Sequence, residues 1–223
     1  MAVIKRSGCL LLLCVCFFCA YAQQDTAGNA EVNRKAAAWV TELKLQDKTK
    51  SGKVEQAIAT HLIAVRDWHN THPGSMVPAG INPATGNMFS DLDRDVIMCS
   101  SKPKSVHDNL MEVLKTELND EQVEMILDKY TIGKVAFTLK GYEAIVPNLT
   151  DRERTEILKN LKQAREQAID YKNMKEISAI FEIYKTKCEQ YLNNNGRSWR
   201  QMYKEYTDKI KAEKAAKAGQ SKG

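Results

Sequence analysis

Apolar residues recur at three- and four-residue steps through most of this chain, a spacing that predicts helices almost throughout. The clearest stripe, from about Asp47 to Asn70, carries Val54, Ala57, Ile58, His61, Leu62, Val65, Trp68 and His69. A shorter helix is expected around Glu31–Leu43, and two more over 105–118 and 120–130. The longest stripe starts at Thr150 and runs to about Leu192. It passes through Ile157, Leu161, Ala164, Ala168, Tyr171 and Met174, then Ser178, Phe181, Tyr184, Cys188 and Tyr191. Between Ile177 and Tyr184 it is apolar on nearly every side, which predicts one long central helix. Asn193-Asn194-Asn195-Gly196 stops it, because Asn and Gly accept the left-handed conformation that ends helices. A last helix is expected from Ser198.

Residues 131–147 fit two periods. Val135, Phe137 and Leu139 alternate as in a strand, whereas Val135, Leu139, Tyr142 and Ile145 lie on one helical face. The reading favours a helix, with a short hairpin as the alternative, and Pro147 ends the segment either way. Three helix starts share a leucine followed by a polar cap: Leu45-Gln46-Asp47, Leu118-Asn119-Asp120 and Leu149-Thr150-Asp151. Thr150 with Glu153 forms a capping box, and Asn119 with Gln122 nearly does. One long stretch, His72 to Ser90, holds three prolines and three glycines and is expected to be a loop. The expected architecture is all-α, a single-domain helical bundle over 23–208.

The N-terminus changes the compartment. Lys5 and Arg6 precede an apolar run from Cys9 to Ala20, closed by Ala20-Tyr21-Ala22. A basic start, a short greasy core and small residues at the cleavage positions predict a secretory signal peptide, residues 1–22, cut after Ala22. The run is too short to span a bilayer. Export then leaves only Cys99 and Cys188 of the six cysteines, which either form one disulfide or stay as buried thiols. The net charge of +5 is also redistributed. Five lysines between Lys209 and Lys222 face one acid, Glu213, so basicity belongs to an Ala/Lys tail, 209–223, expected to fray or be disordered. The body is close to neutral, which argues against a nucleic-acid partner.

Candidate chemistry gathers in two places. Arg66-Asp67-Trp68-His69-Asn70-Thr71-His72-Pro73 sits where a helix enters the long loop, and Asn193 to Arg200 combines amides, two guanidinium groups and Trp199. An indole face stacks on the C–H face of a pyranose, and neighbouring amides, imidazoles and guanidinium groups suit its hydroxyls. The bland alternative is that both tryptophans are core residues beside helix caps. A metal at His69 and His72 is disfavoured, because Pro73 follows before the helix could carry both imidazoles on one face. Asp91-Leu92-Asp93-Arg94-Asp95 opens like a calcium loop but has Val96 and Lys102 where glycine and glutamate belong, and is expected to start a short helix instead. No nucleophile elbow, zinc-protease motif or phosphate-binding glycine loop occurs, and no cofactor is expected.

The segments "RDWHNTHP", "AGINPATGN", "EQVEMILDKYTIGKVAFTLKGYEAIVPNLT", "QAREQAIDYKNMKEISAIFEIYKTKCEQYLN" and "NGRSWR" resemble DUF3826, a secreted bacterial family of unknown function described as sugar-binding. The resemblance covers about residues 30–207 and implies a periplasmic or secreted protein; it carries no catalytic residues. The capping boxes at Leu118 and Leu149 also resemble the Leu-Thr-x-x-Gln box of periplasmic helical chaperones, a pattern that capping chemistry alone produces. The resulting expectation is an exported carbohydrate-binding protein that does not cleave its ligand. Trp68 and Trp199 would stack on sugar rings, and Arg66, His69, Asn70, His72, Asn82 and Arg197 would hydrogen-bond to hydroxyls. A helical chaperone and a glycan-active lyase or hydrolase are the alternatives.

Overall fold

In the computed structural model, residues 27–83 and 85–220 are described. The expected signal peptide and its cleavage point lie outside them. Among the described residues every regular element is helical, apart from one isolated bridge between Ile81 and Met88. The helices are α1 (27–41), α2 (Lys48–Thr71), α3 (Asp91–Ser100), α4 (Lys104–Glu117) and α5 (Asp120–Thr131). They continue as α6 (Lys134–Ile145), α7 (Asp151–Ala168), α8 (Met174–Asn194) and α9 (Trp199–Gln220). The all-α expectation holds. No described helix is long and apolar enough to cross a membrane.

Where one body was expected over 23–208, the chain falls into two compact units. Of the described residues, the first takes those up to Asp67 together with Lys104–Asn119; the second takes those of Trp68–Pro103 and those from Asp120 onward. Helix α2 crosses from one to the other between Asp67 and Trp68.

In the first unit, the stripe read from the sequence becomes the buried face of α2, with Val54 and Ile58 inaccessible to solvent, and α4 contributes Leu110 and Leu114. The Asp47 carboxylate accepts the Thr49 and Lys50 amides, so the expected start of α2 is a true cap. Lys53 donates to Glu117 at 2.7 Å from α2 to α4.

The second unit is built on α7 and α8, which form the most extensive helix pair. Ile157, Leu161, Ala164 and Ala168 of α7 meet Ile177, Ile180, Phe181, Cys188 and Leu192 of α8 in a continuous core. The single helix expected from Thr150 to Leu192 is thus a helical hairpin. Asn173 causes the break: its side chain accepts the Lys175 and Glu176 amides and starts α8 afresh. Asn173-x-x-Glu176 is a capping signal that the unbroken apolar stripe hides. Thr150 with Glu153, and Ser90 with Asp93, close full capping boxes at α7 and α3. Arg165, almost wholly buried on α7, reaches Glu124 at 2.6 Å and Asp128 at 2.7 Å on α5.

The ambiguous segment is helix α6, packed on α7. Helix α9 continues to Gln220, so the helix reaches well into the tail expected to fray. Among the described residues, the stretch between α2 and α3 holds a 3₁₀ turn, Gly74–Met76, and the Ile81–Met88 bridge. It is fastened to α3 by Arg94, whose guanidinium donates to the Val77 and Ser75 carbonyls. A Cβ at Gly74 would collide with Asp95, so glycine is what lets the loop come this close. Cys99 and Cys188 are free, buried thiols and form no disulfide.

Candidate functional site

Two polar-aromatic clusters stand out in the second unit, and their polar atoms meet different fates. The first lies at the C-terminal end of α2, facing the start of α8. Trp68 and His72, four residues apart on one face, stack with ring centroids 3.7 Å apart and planes at 10°. The Trp68 indole donates to the Met98 carbonyl at 3.3 Å, and His72 Nδ1 lies 2.9 Å from the Thr71 hydroxyl. His69 Nε2 lies 2.9 Å from a carboxylate oxygen of Glu176, which is fully buried. The same carboxylate takes Asn173 Nδ2 at 2.5 Å, the Lys172 amide at 3.2 Å and the Cys99 thiol at 3.8 Å. Asn70 accepts from Lys172 Nζ at 2.6 Å. Burial, and then the Glu176 charge, push the Cys99 thiol up to about 12, so it stays protonated and unreactive. Every polar group that the sequence nominated here already has a partner.

Two further nominated residues are similarly engaged. Arg66 lies in the first unit, where its guanidinium donates to Asn29 at 2.9 Å and to Asp67 at 2.7 Å. Asn82 donates from the loop to Asp93 of α3 at 3.3 Å.

The second cluster divides. Arg197 turns inward: it grips both oxygens of Glu153 at 2.8 Å and donates to the Pro147 and Asn148 carbonyls at 3.0 Å. The Arg197 guanidinium first, then the Thr150 amide and hydroxyl, pull the Glu153 carboxyl down to about 2. This is a helix-terminus lock. Trp199, two residues on, is partly buried and packs against the core. Its backbone amide is capped by Asn193 at 2.9 Å, and its ring lies 5.2 Å from Tyr142 and 5.9 Å from Tyr203, centroid to centroid.

Trp199 opens onto a cavity of about 710 Å³ between α6, α8 and α9. Helix periodicity builds its walls. Trp199, Tyr203 and Tyr206 recur at four- and three-residue steps on α9; Phe137, Gly141 and Ile145 recur every four on α6; Glu182, Lys185 and Glu189 recur at three and four on α8. Phe137 is 78 % exposed and Tyr203 50 %, large rings left in water beside the opening. The floor at Gly141 is bare: a Cβ there would meet no atom within 4 Å. Lys185 pairs with Glu182 at 2.9 Å, while Lys134 is turned onto the Ser178 hydroxyl and the Phe181 ring.

Among the described residues, the Trp199 indole, the Tyr203 and Tyr206 hydroxyls and the Glu189 carboxylate make no hydrogen bond. Burial raises the Glu189 carboxyl above its ordinary value, Lys185 pulling it back and Glu182 adding to the rise. The groove therefore offers a platform of rings edged by unfilled donors and acceptors. The sequence nominated Trp199 but missed Phe137, Tyr203, Tyr206 and Glu189. The aromatic spacing 199, 203, 206 was a readable signal; the approach of α6 and α8 to that face was not. Among the described residues no group of three or more His, Cys, Asp and Glu is placed to hold a metal ion.

Residues 29–212 match the family model described as "Protein of unknown function (DUF3826)". The chain belongs to the DUF3826 family. The matched span takes in both tryptophan clusters and every wall of the groove, so the α6–α8–α9 arrangement lies inside the family domain. No curated protein matches the chain.

Proposed function

We propose that this DUF3826 protein is an exported, non-catalytic carbohydrate-binding protein, and that its ligand lies in the α6–α8–α9 groove. The observation that carries the reading is the combination of Trp199, Tyr203, Tyr206 and Phe137 with polar atoms that have no internal partner. Aromatic rings bind the C–H faces of sugars, and the ring-edge hydroxyls then need donors and acceptors within reach. A cavity of about 710 Å³ is in the size range of small-molecule sites and accommodates a short oligosaccharide. The signal-like N-terminus supports a periplasmic or secreted location, where free glycans are the available partners.

Trp68 and its neighbours contribute to this reading by fixing α2 and the start of α8 rather than by touching sugar. The test is a glycan-array screen of the exported chain, followed by titration calorimetry on each hit with wild type and Gly141→Leu. Leucine at 141 replaces a helix-interior glycine and projects into open space, so the fold is kept while the groove is filled. Saturable binding that Gly141→Leu removes is the expected result. Binding that survives the plug places the ligand elsewhere, and an array with no hit removes the sugar assignment.

A further inference from the structure

Helix α9 carries the ring stripe of the groove, and the same stripe continues beyond the part of the helix that is covered. Tyr206 and Ile210 are half-buried, whereas every described residue from Lys211 to Lys217 is exposed. Tyr203 and Lys214 are eleven residues apart, as are Tyr206 and Lys217. Eleven residues make close to three turns, so each lysine shares the face of its tyrosine, about 16 Å further along the axis. From Lys209 to Lys217 there are four lysines and one acid, Glu213, with Lys209 and Lys217 one turn away on either side. Lys211, Lys214 and Lys217 follow at three-residue steps, a spacing at which like charges repel across a helix surface. An anion bound along this edge relieves that repulsion.

The groove itself is charged unevenly. Helix α6 lends its wall Lys134 and Lys140 and no acid, while α8 lends Glu182 and Glu189 with Lys185 between them. Lys185 bonds Glu182 and also pulls on Glu189, and Lys134 is turned onto Ser178, but Lys140 is exposed. We propose that the site extends along α9 and takes an acidic glycan, a chain of sugars bearing carboxylate or sulfate groups. Its rings stack on Trp199, Tyr203 and Tyr206, and its anionic groups meet Lys214 and Lys217 beyond the groove and Lys140 on α6. This inference rests on the groove being a sugar site and names the sugar class.

The α8 acids then set the orientation of the chain. Like charges repel at short range, so the ligand's anionic groups turn from α8 toward α6 and leave ring hydroxyls to donate to Glu182 and Glu189. Length matters as well, because a ligand that gains from both features has to reach from the rings to the lysines. A lipid surface is a poorer fit to this edge: beyond Ile210 no described residue has an apolar side chain larger than alanine to enter it.

The test compares the wild-type exported chain with Lys214→Gln/Lys217→Gln and with Gly141→Leu by calorimetry. The probes are hexa-galacturonate, a sulfated galacto-hexaose, neutral galacto-hexaose and di-galacturonate. Wild type should bind an acidic hexamer about tenfold more tightly than the neutral one, and the double variant should lose most of that margin. The margin should shrink as salt is raised, and the dimer, too short to span rings and lysines, should not sense the double variant. Which acidic hexamer gains identifies the group as carboxylate or sulfate. A role confined to the negative end of the helix would instead lower the melting temperature of the double variant and leave every affinity unchanged. Equal affinity for neutral and acidic hexamers, both removed by Gly141→Leu, overturns this inference and keeps the groove reading. An acidic preference that the double variant leaves intact overturns the part played by Lys214 and Lys217. Acidic binding that survives Gly141→Leu, or failure of wild type to bind any hexamer, overturns the groove reading and this inference together.

Discussion

The two tryptophan clusters use the same residue types and end in opposite states. Around Trp68 every nominated residue has a partner: the indole Met98, His69 Glu176, Asn70 Lys172, and His72 its own turn. Around Trp199, Arg197 is consumed by Glu153, but the indole, two tyrosines and Glu189 are left facing a cavity. Composition does not separate a structural cluster from the proposed binding one. Whether the polar groups are already satisfied does, because a ligand gains little from displacing a hydrogen bond that the fold makes for itself.

The comparison is broken most severely at Glu176. Replacing this fully buried, multiply bonded carboxylate by Ala should cost about 3–5 kcal/mol, since His69 and the Lys172 and Asn173 donors lose their shared acceptor. Chemical denaturation reads it, and a loss below 1 kcal/mol would show the cluster to be loosely held. Next, Arg197→Ala should cost roughly 2–3 kcal/mol by leaving Glu153 without its partner. The pH dependence has a definite sign. Glu153 titrates near 2 in the fold against an ordinary value of 4.5, so its contribution is present above the ordinary value and drains away as pH falls toward 2. The variant should lose that acid-sensitive component; a stability–pH curve parallel to wild type would contradict the lock.

The third test sets the tryptophans directly against each other. Trp199→Ala should weaken glycan binding about 10–100-fold, the loss of one stacked ring with its burial. Trp68→Ala should leave affinity within twofold while lowering stability by about 2 kcal/mol. The reverse pattern would move the site to α2 and the loop after it. The smallest effect is Gly141→Ala, expected to raise stability by roughly 0.5–1 kcal/mol through helix propensity alone, with affinity barely changed. Thermal melting reads the first part and calorimetry the second.

Much of this was legible in the chain. The α2 stripe, the caps at Asp47 and Thr150, and the stop at Asn193–Gly196 are local chemistry, readable wherever a few neighbouring residues decide the outcome. The α7–α8 break was missed because an unbroken apolar stripe outweighs a single asparagine on paper, although Asn173 meets the orphan amides of a new helix. Residues 131–147 fitted two periods, and packing on α7 chose the helix. Trp199 was singled out for its indole, but Phe137, Glu189, Tyr203 and Tyr206, which line the same cavity, come from three helices and are brought together only in space.

The sequence by itself determined the all-helical class, most helix ends and the family, because those follow from short-range periodicity, capping and shared segments. Only the tertiary structure decided that Arg197 faces a carboxylate while Trp199 faces a cavity, and that Cys99 and Cys188 stay apart. Those outcomes depend on which helices meet, and the satisfaction of a polar atom is a property of its neighbours rather than of its residue type.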